Sequence, residues 1–230
     1  MADIDGRKLK LWADFLTYNR VVEESVPLFA TKSHSIETMA FGRNGRLVLR
    51  RSPEMDVRMR QLGNELIDEF DQDRVTHDGI LYLMFRHAND DVIPLYFGKA
   101  EIYGRKKGKL SANVSDLATG NGKFGRWGYN YDYHIGDLSA VTLPGHPAKK
   151  RTPKYESWRQ ALFIQDSGSI LLNGDVRFWA CLWGPDKKSV WREYGITRLA
   201  FEEYLLIGVA SDLFPSELLN REGRNKLELR

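Results

Sequence analysis

Gly79-Ile80-Leu81-Tyr82-Leu83-Met84-Phe85, then Asn89-Asp90-Asp91, then Ile93-Pro94-Leu95-Tyr96-Phe97-Gly98-Lys99 is the stretch on which the fold turns. Ile80 to Phe85 is an unbroken apolar and aromatic run, the pattern of a buried strand. Asn89 to Asp91 supplies turn residues. Ile93 to Phe97 reads as a second strand, and Pro94 near its start suits an edge or a strand beginning. Together the two segments predict a hairpin.

Upstream, Lys8 to Asn19 is a plausible helix. Met39-Ala40-Phe41, the turn Gly42 to Gly45, and Arg46 to Arg50 form a short hairpin. Ser52 caps a helix that Pro53 opens and that runs to about Phe70. Met55, Met59, Leu62, Leu66 and Phe70 recur on it at helical spacing, which is a core-facing stripe. Downstream, Glu101 to Ala118 is expected as a helix or basic loop, and Lys123 to Leu138 as a strand pair. A basic loop is expected over Pro144 to Pro153, a helix over Tyr155 to Gln165, a strand over Val176 to Trp183 and a helix over Leu199 to Phe214. Short strands interspersed with separate helices predict an α+β (mixed α/β) fold.

The 230 residues, 42% of them hydrophobic, suffice for a full core. No run of about 18 apolar residues occurs, so no membrane span is expected. The charged start, Met1 to Lys10, lacks an apolar secretory core. Cys181 is the single cysteine. An internal disulfide and a cysteine-based zinc site are therefore excluded, and a reducing, cytoplasmic setting is the expectation. A formal net charge of +3 is too small to argue for a polyanion partner by itself. Two local runs say more: Arg105-Lys106-Lys107-Gly108-Lys109 and Lys149-Lys150-Arg151.

The chemistry-bearing residues cluster in two places. Tyr82 and Tyr96 stand on the two hairpin strands, and Gly98 follows Tyr96, where a glycine permits close approach of a backbone or a phosphate. The helix from Leu199 carries Glu202 and Glu203 on the flanks of its apolar face. A carboxylate aimed at a core costs several kcal/mol unless it is paired, hydrogen-bonded or metal-bound. Helical geometry alone does not choose between the two glutamates.

In this order the features resemble the GIY-YIG nucleases: Gly79-Ile80-Leu81-Tyr82, Leu95-Tyr96-Phe97-Gly98, Arg105, Phe201-Glu202-Glu203-Tyr204-Leu205-Leu206-Ile207, Pro215 and Asn220. The resemblance covers roughly Asp78 to Asn220. It implies a small central antiparallel sheet flanked by helices. On this reading 1–76 is an N-terminal helical and hairpin extension, serving specificity or dimerisation. The nuclease domain is 77–222, with an insertion around 119–190, and 223–230 is a tail. The register against Leu206-Ile207 selects Glu203. Leu81 is an extra residue before the tyrosine, and Arg105 falls one residue early, which leaves Arg126 as its rival. Lys109 stands where a histidine is common in the family, and His134 is a candidate substitute.

The resemblance further implies hydrolysis of DNA phosphodiesters with one Mg²⁺ or Mn²⁺ on Glu203, a hard cation that keeps most of its waters. Arg105 would hold the phosphate, Tyr82 would orient or deprotonate the attacking water, and Tyr96 and Lys99 would donate to the phosphate. Asn220 would support the site. Lys106, Lys107, Lys109, Arg126, Lys149, Lys150 and Arg151, with the loop from Lys149 to Lys154, are the expected contacts to a double-stranded DNA backbone. A homodimer is part of what the resemblance implies. The alternative is a non-catalytic nucleic-acid-binding module on the same scaffold.

Overall fold

A computed structural model describes residues 2–89, 91–104, 108–118, 124, 133–166, 169–191, 193 and 195–224, with backbone alone for 2–5, 118 and 165–166. Helices and antiparallel sheets make a mixed α+β fold. In chain order the elements are α1 (Ala2–Tyr18), β1 (Val26–Pro27), β2 (Thr31–Lys32), β3 (Ser35–Ile36), β4 (Thr38–Phe41), β5 (Arg46–Leu49) and α2 (Pro53–Asp71). They continue with β6 (Gly79–Ala88), β7 (Asp91–Glu101), α3 (Ala112–Ala118), α4 (Ile135–Thr142), a 3-10 turn (Ala148–Lys150) and α5 (Pro153–Leu162). The last are β8 (Phe163–Asp166), β9 (Ser169–Leu172), β10 (Asp175–Trp183) and α6 (Leu199–Leu213).

The central sheet runs β1-β10-β6-β7 with every pairing antiparallel. β6 is flanked on both sides, and its alternating residues serve two cores. Ile80, Tyr82 and Met84 face one, together with Met55, Met59, Leu62 and Leu66 of α2 and Tyr155 and Trp158 of α5. Leu81, Leu83 and Phe85 face the other, with Trp12 and Phe15 of α1 and Leu199 and Leu206 of α6. Burial on both faces is why β6 reads as a continuous apolar run and not as an alternation. Residues 1–76 thus share both cores with the residues that follow. Among the described residues no helix is long and apolar enough to cross a membrane.

Several expectations hold at the level of individual residues. Ser52 caps α2, its hydroxyl accepting from Met55 N at 3.0 Å. The 39–50 hairpin forms as β4 and β5. Pro94 lies on the edge strand β7, where the register shifts between Met84 and Phe85. Others do not hold. Of the strand pair expected over Lys123–Leu138, residues 125–132 lie outside the described ones, and Ile135–Leu138 begin helix α4. The aromatic content there reflects burial, which periodicity in a short segment cannot distinguish from strand. The helix expected to reach Gln165 stops at Leu162, because Phe163 to Asp166 pair with β9. The helix after β7 starts only at Ala112. Before it, Tyr103 bridges Leu110, and Gly104 N donates to Lys109 O at 2.8 Å.

The outer edge of β7 is covered by the chain that follows α6. Leu219 N donates to Leu95 O at 2.7 Å. The Asn220 side chain then pairs twice with Phe97: Phe97 N donates to Oδ1 at 2.9 Å, and Nδ2 donates to Phe97 O at 3.0 Å. The Asn220 amide thus stands in for one peptide unit of a neighbouring strand. Asn220→Ala leaves two buried backbone groups without partners. It should lower unfolding free energy in urea by about 2–6 kcal/mol, at ~1–3 kcal/mol per orphaned group. A loss under 0.5 kcal/mol would show that water replaces the amide.

Candidate functional site

β6 and β7 place Tyr82 and Tyr96 side by side, ring centroids 6.5 Å apart. Tyr82 is 3% exposed. Its ring lies against Phe124 (5.1 Å), Tyr133 (5.4 Å) and Phe178 (5.8 Å). Gly98 sits directly opposite Tyr82 in the ladder. A Cβ at Gly98 would fall 2.3 Å from both Cζ and Oη of that phenol. The space the glycine leaves is therefore filled by Tyr82, not by an incoming phosphate as its position in the sequence suggested. Gly98→Ala should push the ring aside or overpack it, costing about 1–3 kcal/mol of stability. A Gly98→Ala protein with parental urea midpoint and an unchanged tyrosine near-UV CD signal would contradict this packing.

Tyr96 is half-buried and opens onto a cavity of about 300 Å³. Its lining includes Lys154 of α5, Glu203 of α6, and Asn220, Arg221 and Glu222 from the chain after α6, with Tyr204 and Ile207 completing the wall. Three of the residues singled out in the sequence, Tyr96, Glu203 and Asn220, thus meet in one cavity, with Tyr82 directly behind. A second cavity, of about 390 Å³, opens beside His77, Asp78, Glu101 and Arg198 and holds none of them.

The two glutamates of α6 part company. Glu202 is fully buried and accepts from Ser189 Oγ (2.5 Å), Val190 N (2.9 Å) and Thr197 Oγ1 (2.8 Å). These are neutral donors, so of the three ways to offset a core-facing carboxylate Glu202 takes hydrogen bonding. Burial still holds its carboxyl above the usual range. Glu203 faces the cavity. Burial raises its carboxyl to about 7, with Lys99 opposing and the Glu101 and Glu222 carboxylates adding to the rise.

The phenols are held protonated. Burial drives Tyr82 well above its ordinary value of 10, with Tyr96, Tyr133 and Glu203 contributing. Tyr96 is pushed up to about 12 by burial, Glu203 and Glu222. In this environment both tyrosines are hydrogen-bonding hydroxyls at neutral pH, and deprotonation of water by Tyr82 has no support from its surroundings.

The remaining candidates fall as follows. Lys99 is paired with Glu101 at 2.5 Å and lies close enough to Glu203 to oppose its protonation. His134 is fully buried, Nδ1 hydrogen-bonded to the Tyr155 hydroxyl at 2.6 Å, so it cannot touch a substrate directly. Its backbone and that of Tyr133 have positive φ (60° and 33°). Tyr133 is core, while Tyr129 and Tyr131 lie outside the described residues. So do Arg105, Lys106, Lys107 and Arg126. Lys109 is exposed at the stem of its loop, and Lys149, Lys150 and Arg151 lie on and just past the 3-10 turn that leads to Lys154. Arg221 and Glu222 were not anticipated. No periodicity marks them, and only their adjacency to Asn220 hints at the site.

Whether the residues fit a divalent cation can be tested on the donor set. Among the described residues no group of three His, Cys, Asp or Glu side chains converges as a metal cage. Glu203, with the Glu222 carboxylate on the same cavity wall, would suit a hydrated hard cation that takes few ligands from the protein. This set does not fit a site of zinc type.

His134 gives a pH signature independent of any ligand. Burial, aided by Lys154, holds its imidazole well below its ordinary value of 6.5. The folded state keeps it neutral while the unfolded chain takes up a proton below pH 6.5. The contribution is full above that pH and is lost as pH falls towards the folded-state value. Between pH 6.5 and 5.5 the parent should lose about 1 kcal/mol more than His134→Gln in urea unfolding. Parallel pH profiles would mean that the imidazole is protonated in place.

Compared with known proteins, the chain matches no family model, no curated protein and no solved structure.

Proposed function

We propose that this protein is a divalent-metal-dependent endonuclease of GIY-YIG type, hydrolysing phosphodiester bonds in DNA at the Tyr96–Glu203 cavity. The observation that carries the reading is the convergence of Tyr96, Glu203 and Asn220 on that cavity, with Tyr82 packed behind it. These residues are far apart in sequence and are the ones that the order and register of the resemblance single out.

Each residue then has a task its environment suits. Glu203 would hold Mg²⁺ or Mn²⁺, and the bound cation supplies Lewis-acid polarisation of a phosphate oxygen. With its carboxyl near 7, cation and proton compete for the same oxygens around neutrality. Tyr96 donates its hydroxyl to a phosphate oxygen at the cavity wall. Tyr82, neutral and immobilised, fixes the orientation of Tyr96 and the shape of the floor. Asn220 holds β7 and so the position of Tyr96. Lys99 trims the negative potential at Glu203. The logic is positioning plus electrostatic stabilisation.

Cleavage of plasmid and duplex oligonucleotides with Mg²⁺ tests the proposal. Glu203→Ala should abolish cutting, a loss of at least about 10²-fold, while leaving unfolding free energy near the parent's. Glu202→Ala should do the reverse at the level of folding, costing about 2–4 kcal/mol because three buried donors lose their acceptor. If Glu203→Ala cuts as fast as the parent, the assignment of the carboxylate is wrong. Lys154 and Arg221 on the cavity wall favour a second reading, a nucleic-acid-binding module without cleavage. It predicts binding and no cutting with either cation.

A further inference from the structure

Lys154 is a cation that the motif does not include and that the cavity does. It lies in the first turn of α5, after Pro153. Its ammonium sits 5.2 Å from the Tyr96 ring centroid and 5.4 Å from those of Tyr155 and Trp158. Three aromatic faces fix a side chain that is otherwise mobile. Among the described residues no carboxylate lies within ion-pairing distance of it. The ammonium is thus half-buried and held in place without a direct ion pair: burial and Arg221 lower its proton affinity, and the Asp137 and Glu222 carboxylates offset part of that from longer range.

Lys154 also stands at a junction. It lines the Tyr96–Glu203 cavity and, with Asn220 and Arg221, a larger groove of about 940 Å³ that continues from it. That groove runs between α5 and the chain after α6, past Ser157, Gln160 and Arg224. No acidic side chain lines it. Arg224 is tied to Leu218 O and Pro215 O, so it stiffens the wall. Arg221 is exposed at the rim. An acid-free groove that leaves the cavity by way of Lys154 and carries Arg221 and Arg224 along its walls suits a polyanionic chain, not a compact anion.

We propose that Lys154 binds the phosphate next to the one held at Tyr96, and that the groove beyond it, with Arg221 at its rim, carries the backbone of the same nucleic-acid strand. This rests on the nuclease reading for the identity of the strand, but not for its binding. The geometry makes Lys154 a binding residue, in direct contact with substrate, which takes over part of the anchoring assigned to an arginine in the sequence.

The test is binding without chemistry. In EDTA, anisotropy of a labelled duplex and of a labelled single strand is measured against the full chain over a range of salt concentrations. Lys154→Met keeps the apolar stem on its rings. It should weaken binding about 10-fold at low salt and reduce the salt slope by about 0.7–0.9, the loss of one phosphate contact. Lys154→Arg should restore both. Unchanged affinity and slope in Lys154→Met would overturn the proposal. Should Lys154→Met fail to fold, the parent protein still decides the matter. With its lysines ¹³C-methylated, the Lys154 signal should shift on adding a short oligonucleotide, and a signal that stays put overturns the proposal. A parent that binds with this Lys154 dependence but never cuts in Mg²⁺ keeps the groove and sinks the nuclease reading. A parent that cuts, with Lys154→Met matching it in KM and in salt slope, does the opposite.

Discussion

The Asn220 amide is the tie on which the site depends. An edge strand offers unpaired N–H and C=O groups, and burying them without partners costs about 1–3 kcal/mol each. Asn220 answers both groups of Phe97, and Leu219 N answers Leu95 O. The chain after α6 must therefore run along β7, which sets Arg221 and Glu222 beside Tyr96. The other end of α6 is pinned as well. Asp78, just before β6, accepts from Leu199 N at 3.0 Å and pairs with Arg198 at 2.6 Å. With both ends of α6 tied to the hairpin, Glu203 has little freedom to leave the cavity.

The electrostatics follow from that packing. The aromatic floor of Tyr82, Tyr133, Tyr155 and Trp158 lowers the local dielectric and keeps its ionisable members neutral. A low dielectric strengthens whatever charge remains. At the cavity, the groups closest to a charge change at neutral pH are few. Glu203 is raised to about 7, and Lys154 is kept charged at a desolvation penalty. A phosphate entering there meets a donor phenol, an ammonium and a guanidinium, and two carboxylates, Glu203 and Glu222, whose charge opposes it. A cation held at Glu203 would turn that opposition into attraction. That is the physical case for a metal in a site whose protein ligands are so few.

Much of the frame was legible in the sequence, for reasons that differ by element. α2 announced itself through Ser52, Pro53 and a five-residue stripe, because caps and helical periodicity are local. β6, β7 and β10 were legible as apolar runs. β1, β2 and β3 were not: strands of two residues carry no periodicity and exist only because a longer neighbour recruits them. β8 and β9 were lost inside and after an expected helix, where pairing of Phe163 with Leu172 overrode helix propensity. The site was half legible. Tyr82, Tyr96, Glu203 and Asn220 stood out by order and register. Arg221 and Glu222 did not, and Lys154 was legible only as the end of a basic loop, since only the return of the chain along β7 makes the three neighbours. Gly98 was noticed for the right property, a missing Cβ, and assigned the wrong occupant.

Glu202 and Glu203 show where such reading has its limit. They are adjacent, chemically identical, and both on flanks of the same apolar face, so pattern alone treats them alike. A rotation of about 100° separates them. It sends one carboxylate beneath the 189–197 segment, where Ser189, Val190 and Thr197 satisfy it, and the other to the rim of a cavity that holds no such donor set. The first is satisfied by the fold and has no oxygen to spare for a ligand. The second is left under-satisfied by the fold, beside two further carboxylates that raise it, and is therefore the one able to take up a cation. A buried carboxylate signals function only when the protein around it has declined to complete its coordination. At this pair of positions, the number of donors answering each carboxylate decides the roles more firmly than depth of burial does.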